Sequence, residues 1–218
     1  MKILSSVNEL LFPQRCISCK SLGRVLCPTC LPEWKFENRF QILRDKTGNK
    51  LSVFSSADYS DVTRSIILSS KESSIKDADR LITQALNFSL TNFLQFNFAT
   101  HLVPIPSRAQ ATRSRGRDFL AEITQGVARG FNLDCAALLR HSRKVRDQSG
   151  LSLGARRNNL AGAFVLDSRR EWPIRAELLL IDDLVTTGAT LLEAARALRY
   201  AGFQVKGAVT AAVAQPLR

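Results

Sequence analysis

The stretch that decides the fold is Leu178-Leu179-Leu180-Ile181-Asp182-Asp183-Leu184-Val185-Thr186-Thr187-Gly188-Ala189-Thr190. Its first four residues are apolar without polar alternation, which predicts a strand buried on both faces, as in a parallel sheet. After Thr190 the spacing becomes helical, with one stripe at Leu191, Ala195, Leu198 and Gly202. A buried strand that runs directly into a helix is the repeating unit of an α/β fold.

The junction between this strand and helix has the chemistry of a site for a sugar phosphate. Unpaired N–H groups at a helix N-terminus favour an anion, and Gly188 permits a tight loop with close backbone approach. Hydroxyl donors follow at Thr186, Thr187 and Thr190. Asp182 and Asp183 would repel a phosphate, so we expect them to face ribose hydroxyls or a divalent cation. The alternative is an ordinary turn capped by Asp or Thr, but a cap does not need all of these residues together.

Four of the five cysteines form two Cys-x-x-Cys pairs, Cys16 with Cys19 and Cys27 with Cys30. Two such pairs complete a tetrahedral Cys₄ zinc site, and a filled sulfur shell leaves no open position for catalysis. The alternative is two disulfides in a secreted protein. The lack of a cleavable signal-peptide pattern and of a disulfide-rich composition argues against it. We therefore predict a structural zinc knuckle, with Cys135 as a small buried residue.

Length and composition fit one α/β domain with a small appendage. The chain has 218 residues, of which 45% are hydrophobic and 23% charged. Since no apolar run approaches the ~18 residues that span a bilayer, we expect no membrane insertion and a cytoplasmic location. We predict an N-terminal helix and knuckle over residues 1–37 and an α/β domain over 38–218. Within this domain, 38–97 is predicted to be a hood or other peripheral part.

The positive charge of the chain is high and uneven. The net charge is +12, and residues 101–175 hold 14 Lys and Arg against 6 Asp and Glu. Such a field attracts polyanions, including pyrophosphate, nucleotides and nucleic acid. The alternative is a solvated basic surface, or one that meets an acidic partner.

The remaining sequence alternates strand and helix patterns. Strands are predicted at 40–43, 51–56, 101–106, 133–139, 163–166 and 203–212, and helices at 60–70, 75–97, 114–130 and 153–160. A basic loop is predicted from 140 to 152. This alternation predicts a mainly parallel sheet flanked by helices, with ligands beyond the carboxyl ends of the strands.

Three further segments are candidates to face that edge. Pro106-Ser107-Arg108 ends a strand of the same sense as Ile181, and Arg113 and Arg115 then offer guanidinium groups to a diphosphate. A second segment contains Gln148, Arg156, Arg157, Asn158 and Asn159, near an exposed glycine-containing loop that is able to fold over an anion. The third is Lys71, for which a surface position is the more common expectation.

The acidic stretch resembles the phosphoribosyl-pyrophosphate (PRPP) motif of type I phosphoribosyltransferases, which has four hydrophobic residues, two acids and a Thr-Thr-Gly-type loop. The resemblance implies that Asp182 and Asp183 hold the 2′- and 3′-hydroxyls of the ribose. It also implies that the segment Val185, Thr186, Thr187, Gly188, Ala189 and Thr190 wraps the 5′-phosphate. The cofactor implied is Mg²⁺ carried on the pyrophosphate.

Over nearly its whole length the chain resembles the ComF family, amidophosphoribosyltransferase-like proteins linked to natural DNA uptake and competence. The Cys₄ knuckle, the Val-Pro-Ile-Pro strand end, Arg-x-Arg-Gly, the block from Gln148 to Phe164 and the acidic loop occur in the family's order. The family's usual Arg-Gly-Phe-Asn-Gln is Arg115-Gly116-Arg117-Asp118-Phe119 here, and its Leu-Lys-aromatic-Gly segment is Ser70-Lys71-Glu72-Ser73. Partners implied are PRPP, single-stranded DNA or the competence helicase machinery.

The resemblance implies catalysis by Asp182, Asp183 and Arg115, with the other named arginines on the leaving pyrophosphate. No histidine base is evident, since His101 is expected to be structural and His141 lies in the basic loop. Three functions stay open: an Mg²⁺-dependent phosphoribosyltransferase, a nucleic-acid-associated competence protein that uses the same phosphate pocket, and a non-catalytic PRPP-responsive regulator. The acceptor is not evident from the sequence.

Overall fold

The computed structural model describes residues 13–73, 75–142, 162–167 and 175–214. Its helices are α1 (Asp61–Ser73), α2 (Lys76–Leu94), α3 (Ala109–Arg115), α4 (Phe119–Gly130) and α5 (Ala189–Tyr200). Its strands are β1 (Arg39–Arg44), β2 (Lys50–Asp58), β3 (His101–Pro104), β4 (Asp134–Cys135), β5 (Leu139–His141), β6 (Phe164–Leu166), β7 (Glu177–Val185) and β8 (Gln204–Val213). The predicted helices within 1–12 and at 153–160 lie outside the described residues, as do Gln148 and the segment 156–159.

Six strands form one sheet in the order β1-β2-β8-β7-β3-β4. All neighbours from β2 to β4 are parallel, and only β1 is antiparallel to its neighbour in this sheet. Helix α2 packs on β2 and β8, helix α4 on β3, β4 and β7, and helix α5 on β7 and β8. The predicted mainly parallel sheet with flanking helices is therefore confirmed.

The connection after β3 and the connection after β7 lead to strands on opposite sides of this pair in the sheet. Strand β3 leads through α3 and α4 to β4, whereas β7 leads through α5 to β8 on the other side. Because parallel crossovers are right-handed, α4 and α5 cover opposite faces of the sheet. The carboxyl ends of β3 and β7 thus mark the point where the strand order reverses, which is where open α/β sheets bind ligands.

Strand β7 runs through the centre of the core. Residues Leu178 to Ile181 have no exposed surface, as predicted for a strand covered on both faces. The hydroxyls buried nearby are paired: Ser55 Oγ lies 2.6 Å from Thr210 Oγ1, and Ser89 Oγ donates to the Thr210 carbonyl at 3.0 Å. Paired hydroxyls avoid the cost of burying an unsatisfied polar group.

Strand β7 is longer than the apolar run that predicts it. It continues through Asp182 and Asp183 to Val185, because β8 extends beside it and pairs Val185 with Val213. The two acids therefore lie inside the strand, and the loop begins only at Thr186. Strand β8 lies between β2 and β7 in the interior of the sheet.

The predicted helix 114–130 is two helices. Gly116 ends α3 in the left-handed conformation, with φ of 73°. Asp118 then caps α4, where its Oδ1 accepts a hydrogen bond from the Ala121 N–H at 3.5 Å. The break changes the direction of the chain just before α4, the helix that packs on the sheet.

The predicted strand 133–139 also divides, into β4 and β5. Strand β5 pairs antiparallel with β6 in a separate two-stranded sheet, so the predicted strand at 163–166 forms but does not join the main sheet. The Ser142 N–H donates to the Ala163 carbonyl at 2.8 Å, and the Gly162 N–H donates to Glu193 Oε1 at 2.8 Å. These bonds close the hairpin and attach it to α5.

The cysteine knuckle packs against the α/β core. The 3₁₀ turn that follows it, Leu31–Trp34, contacts α1 and β2, and Trp34 is buried beside Phe36 with ring centroids 5.6 Å apart. Segment 38–97, predicted as a hood or peripheral part, supplies β1 and β2 to the main sheet. The division of the chain between residues 37 and 38 stays a prediction.

Polar contacts join α1, α2 and the residue before the α4 cap. Ser70 Oγ donates to Asp79 Oδ1 at 2.5 Å, and Arg117 Nη2 donates to Asp79 Oδ2 at 2.9 Å. Arg117 Nε also lies 3.3 Å from Glu122 Oε2. Arg117, which stands where the ComF pattern has an aromatic residue, therefore has a structural partner.

We predict that Arg117→Met lowers the free energy of unfolding by roughly 1–3 kcal/mol, because it leaves the half-buried Asp79 carboxylate without its cation. Urea unfolding followed by circular dichroism measures this change. The matched control is Arg64→Met, which removes an exposed arginine of α1. Equal losses in the two variants would contradict the assignment.

Candidate functional site

Asp182 and Asp183 are buried side by side at the carboxyl end of β7, with exposed fractions of 8% and 5%. The Asp183 N–H donates to Asp182 Oδ1 at 2.9 Å. Burial, followed by the neighbouring charge of Asp183, raises the pKa of Asp182 well above its ordinary value. Asp182 therefore resists ionisation, and the pair carries less negative charge than two exposed acids would.

Lys71 contacts this pair, contrary to its expected surface position. Its Nζ lies 2.7 Å from Asp183 Oδ2, with side-chain exposures of 28% for Lys71 and 7% for Asp183. The ammonium also lies 5.5 Å from the centroid of the Phe119 ring. Lys71 is in the last turn of α1, far from β7 in sequence, and no spacing pattern predicts a contact of this kind.

The loop after β7 leads into an open helix N-terminus. Gly188 has φ of 72°, in the left-handed region, and a Cβ placed on it would overlap the Leu43 side chain. The N-cap residue of helix α5, Gly188, supplies no side-chain cap, and the first turn has no acidic residue. The Ala189 N–H donates to Thr187 Oγ1 at 3.4 Å, and the next N–H groups of the first turn have no acceptor within the helix and are available to an anion. Thr186 is exposed, while Thr187, Ala189 and Thr190 are half-buried. Val185 lies in β7, where its carbonyl accepts from the Ala214 N–H at 2.9 Å.

The loop after β3 begins beside the acids. Pro104 is in register with Ile181, and the Ile105 N–H donates to the Ile181 carbonyl at 2.9 Å. This pairing brings Pro106, Ser107 and Arg108 to the same edge of the sheet as Asp182 and Asp183. Ser107 Oγ donates to Asp118 Oδ1 at 3.2 Å, which joins this loop to the start of α4.

The predicted arginines occupy different positions. Arg113 and Arg115 lie in the last turn of α3, where Arg113 is exposed and Arg115 half-buried. Arg108 immediately precedes α3. Arg156 lies outside the described residues. The structure thus places three of the four arginines on the segment that follows β3.

A cavity of about 340 Å³ adjoins this loop, lined by Pro104, Pro106, Ser107, Asp118, Ala121, Ala137, Leu139, Arg140, His141 and Asp167. His141 Nε2 lies 2.9 Å from the Pro106 carbonyl, which accepts only, so Nε2 carries the proton. Burial lowers the pKa of His141, which favours the neutral ring. His101 lies at the opposite, amino end of β3, where its Nδ1 is 2.8 Å from Thr100 Oγ1.

The four knuckle cysteines form a cluster that fits a metal ion. The Sγ atoms of Cys16, Cys19, Cys27 and Cys30 all lie within 4.8 Å of one another. Tetrahedral zinc with Zn–S bonds of about 2.3 Å separates its sulfurs by about 3.8 Å, so the cluster needs little adjustment. Desolvation and the neighbouring sulfurs raise the pKa of Cys30 to about 12, while a hydrogen bond with Ser21 lowers the pKa of Cys27 to about 5. Binding of a zinc ion by all four sulfurs as thiolates therefore releases the proton of Cys30.

Comparison with known proteins relates parts of the chain to two curated proteins. It is 30% identical over 112 residues to competence protein F of Haemophilus influenzae, an alignment that covers 50% of this chain and 48% of that protein. This similarity confirms the resemblance to ComF proteins. The chain is also 38% identical over 91 residues to adenine phosphoribosyltransferase of Polynucleobacter asymbioticus, which covers 38% of this chain and 52% of that protein. The chain spans about half the length of each of these relatives.

No family model matches the chain. Among solved structures, orotate phosphoribosyltransferase from Aeropyrum pernix overlaps with a TM-score of 0.41 at 11% identity, covering 81% of this chain and 87% of that one. APRTase from Giardia lamblia overlaps with a TM-score of 0.41 at 16% identity, covering 81% and 94%. No helix within the described residues has the length and apolarity that a bilayer crossing requires.

We predict that the purified chain carries one zinc ion and that replacing Cys27 and Cys30 with serine removes it. A colorimetric chelator added after the thiols are blocked with a mercurial measures the metal. Cys135→Ser, which changes the fifth cysteine, is the matched control and keeps the ion. Because the ligands are thiolates, acidification releases the zinc. Full zinc content in the double variant would overturn the assignment.

We predict that Asp182→Asn stabilises the protein at pH 7 by about 0.5–2 kcal/mol, because the folded state opposes ionisation of the buried carboxyl, whereas an amide does not ionise. The folded-state pKa is raised, so the wild type loses stability as pH rises above the unfolded value of about 3.9, whereas the variant does not. Thermal unfolding between pH 3 and pH 8 tests this expectation. A variant that is less stable at pH 7 would show that Asp182 is ionised and well paired.

Proposed function

We propose that this protein binds PRPP with Mg²⁺ and transfers or hydrolyses its phosphoribosyl group, as a ComF-type phosphoribosyltransferase. The observation that carries the proposal is the position of the acid pair one short loop before the N-terminus of α5, at the point where the strand order of the sheet reverses. Carboxylates accept hydrogen bonds from a vicinal diol, and the helix N-terminus binds a phosphate. A ribose 5-phosphate carries both groups.

Each predicted residue has a part in this proposal. Asp182 and Asp183 accept hydrogen bonds from the 2′- and 3′-hydroxyls, while the segment from Val185, at the end of β7, to Thr190 surrounds the 5′-phosphate. The segment from Pro106 to Arg108, with Arg113 and Arg115, is proposed to bind the pyrophosphate. Arg156, which lies outside the described residues, stays a predicted ligand of the same group. Arginine suits this position because its planar fork donates two hydrogen bonds to a phosphate.

The reaction proposed is substitution at C1′ of the ribose. The bond from C1′ to the pyrophosphate oxygen breaks, and its electron pair leaves with the pyrophosphate. A nucleophile or water forms the new bond to C1′ and loses one proton to the departing pyrophosphate or to solvent. Preorganised cations lower the barrier because negative charge grows on the leaving group, and Arg115 is the described residue proposed to act there. Mg²⁺ carried on the pyrophosphate would further neutralise that charge.

A second candidate function is binding of single-stranded DNA or nucleotides through the same phosphate pocket. The observation that favours it is the excess of 14 Lys and Arg over 6 Asp and Glu in residues 101–175, the segment that supplies the β3 loop. A cytoplasmic role in DNA uptake, with the competence helicase machinery as partner, belongs to this candidate. The two functions are compatible with each other.

We predict that Asp182→Asn/Asp183→Asn abolishes PRPP binding while the fold is retained. A hydrogen bond to a charged carboxylate contributes about 1.5–3 kcal/mol and one to a neutral carboxyl about 0.5–1.5 kcal/mol, so affinity falls by roughly 30-fold or more. Calorimetry with PRPP at millimolar Mg²⁺ measures binding, and circular dichroism checks the fold. Asp61→Asn, at an exposed position of α1, is the matched control and leaves the affinity unchanged.

The outcomes separate the candidate functions. Release of one pyrophosphate for each PRPP consumed, with an amine, a base or water as acceptor, supports the transferase. Tight PRPP binding without turnover for any acceptor supports a PRPP-responsive regulator instead. Single-stranded DNA binding that weakens steeply with salt supports the nucleic-acid function. No PRPP binding by the wild type at millimolar Mg²⁺ would overturn the main proposal.

A further inference from the structure

The acid pair is contacted by a cation of the protein itself. Lys71 Nζ lies 2.7 Å from Asp183 Oδ2, while Asp182 accepts the N–H of Asp183. Among the described residues, Lys71 is the one cationic side chain in ion-pair contact with either acid. The centre of the proposed sugar site thus contains two carboxyl groups and one ammonium.

Neighbouring contacts fix the position of this ammonium. The Phe119 ring, which is almost fully buried, lies on one side with its centroid 5.5 Å from Nζ. The preceding residue, Ser70, is hydrogen-bonded to Asp79, which in turn accepts from Arg117. The last turn of α1 is therefore attached to α2 and to the chain just before α4, and Lys71 does not reach Asp183 as a free surface side chain.

The charge balance distinguishes the ligands that this centre accepts. Two adjacent buried carboxylates without a cation form a good site for a hard divalent ion, which prefers oxygen ligands. With Lys71 in place, one positive charge is already present, and a divalent ion would have to displace it against repulsion. A neutral diol has no such conflict, because its hydroxyls donate to carboxylate oxygens and accept from the ammonium.

We propose that Lys71 sets the ligand preference of the acid pair, by making it a site for a neutral vicinal diol and excluding a divalent cation from direct contact with the carboxylates. The sugar part of this statement rests on the proposed function, whereas the exclusion of a cation does not. Lys71 is then a specificity-determining residue of the site, supplied by the helical layer and not by the sheet.

The test measures two ligands separately on the zinc-loaded protein. Mn²⁺ alone is titrated and free Mn²⁺ is followed by electron paramagnetic resonance, and ribose 5-phosphate without metal is titrated by calorimetry. We expect Lys71→Met to gain one Mn²⁺ site per chain and to lose about tenfold or more in affinity for ribose 5-phosphate. Lys76→Met, which removes an exposed lysine at the start of α2, is the charge-matched control and changes neither result.

Two further variants keep the test decisive. Lys71→Gln removes the charge but retains a hydrogen-bond donor, so it gains the Mn²⁺ site even if Lys71→Met fails to fold. Combining Lys71→Gln with Asp182→Asn/Asp183→Asn removes the new site again, which locates the ion on the acid pair. Circular dichroism and zinc content confirm that each protein is folded.

The possible results separate this inference from the proposed function. No additional Mn²⁺ site in either neutral variant overturns the inference, even if the wild type binds ribose 5-phosphate. A wild type that binds no ribose 5-phosphate, together with variants that gain Mn²⁺, overturns the diol ligand and retains the charge role. An Mn²⁺ site already present on the acid pair of the wild type contradicts the exclusion directly.

Discussion

Two carboxyl groups are buried next to each other in the centre of this protein, and burial of like charges is strongly unfavourable without compensation. Three features offset the cost. The raised pKa of Asp182 favours its neutral form, and Asp182 Oδ1 accepts a hydrogen bond from the backbone N–H of Asp183. The third feature is the ammonium of Lys71, which forms an ion pair with Asp183. The third feature requires α1 to end beside the carboxyl end of β7. The packing of the helical layer and the electrostatics of the strand are therefore parts of one constraint.

The order of the strands then decides which groups meet. Because β3 is hydrogen-bonded to β7, the loop after Pro104 starts beside the acids, although the two segments are far apart in the chain. The helix after β7 crosses the opposite face from the helix after β3, so the edge between these strands is open. A strand order that separated β3 from β7 would leave the same residues without a common site.

Local features of the sequence were predictable and long-range contacts were not. The apolar run, the acids, the threonine-glycine loop and the two cysteine pairs each lie within a short segment, so spacing alone indicates them. Gly116 and Asp118 end one helix and begin another, and the predicted helix 114–130 runs through both residues although glycine and aspartate are typical helix-end residues. The contacts of Lys71 with Asp183, Arg117 with Asp79 and His141 with Pro106 depend on tertiary packing, which periodicity does not contain.

The pairing of β5 with β6 extends one step into the segment that connects them, since the Ser142 N–H donates to the Ala163 carbonyl, and the adjoining Gly162 N–H donates to Glu193 of α5. The chain therefore leaves β5 and enters β6 at adjacent points in space. Closing a connecting segment costs only about 0.6 kcal/mol more for each doubling of its length. The pairing of β5 with β6 and its attachment to α5 therefore depend little on the length of the segment that joins the two strands.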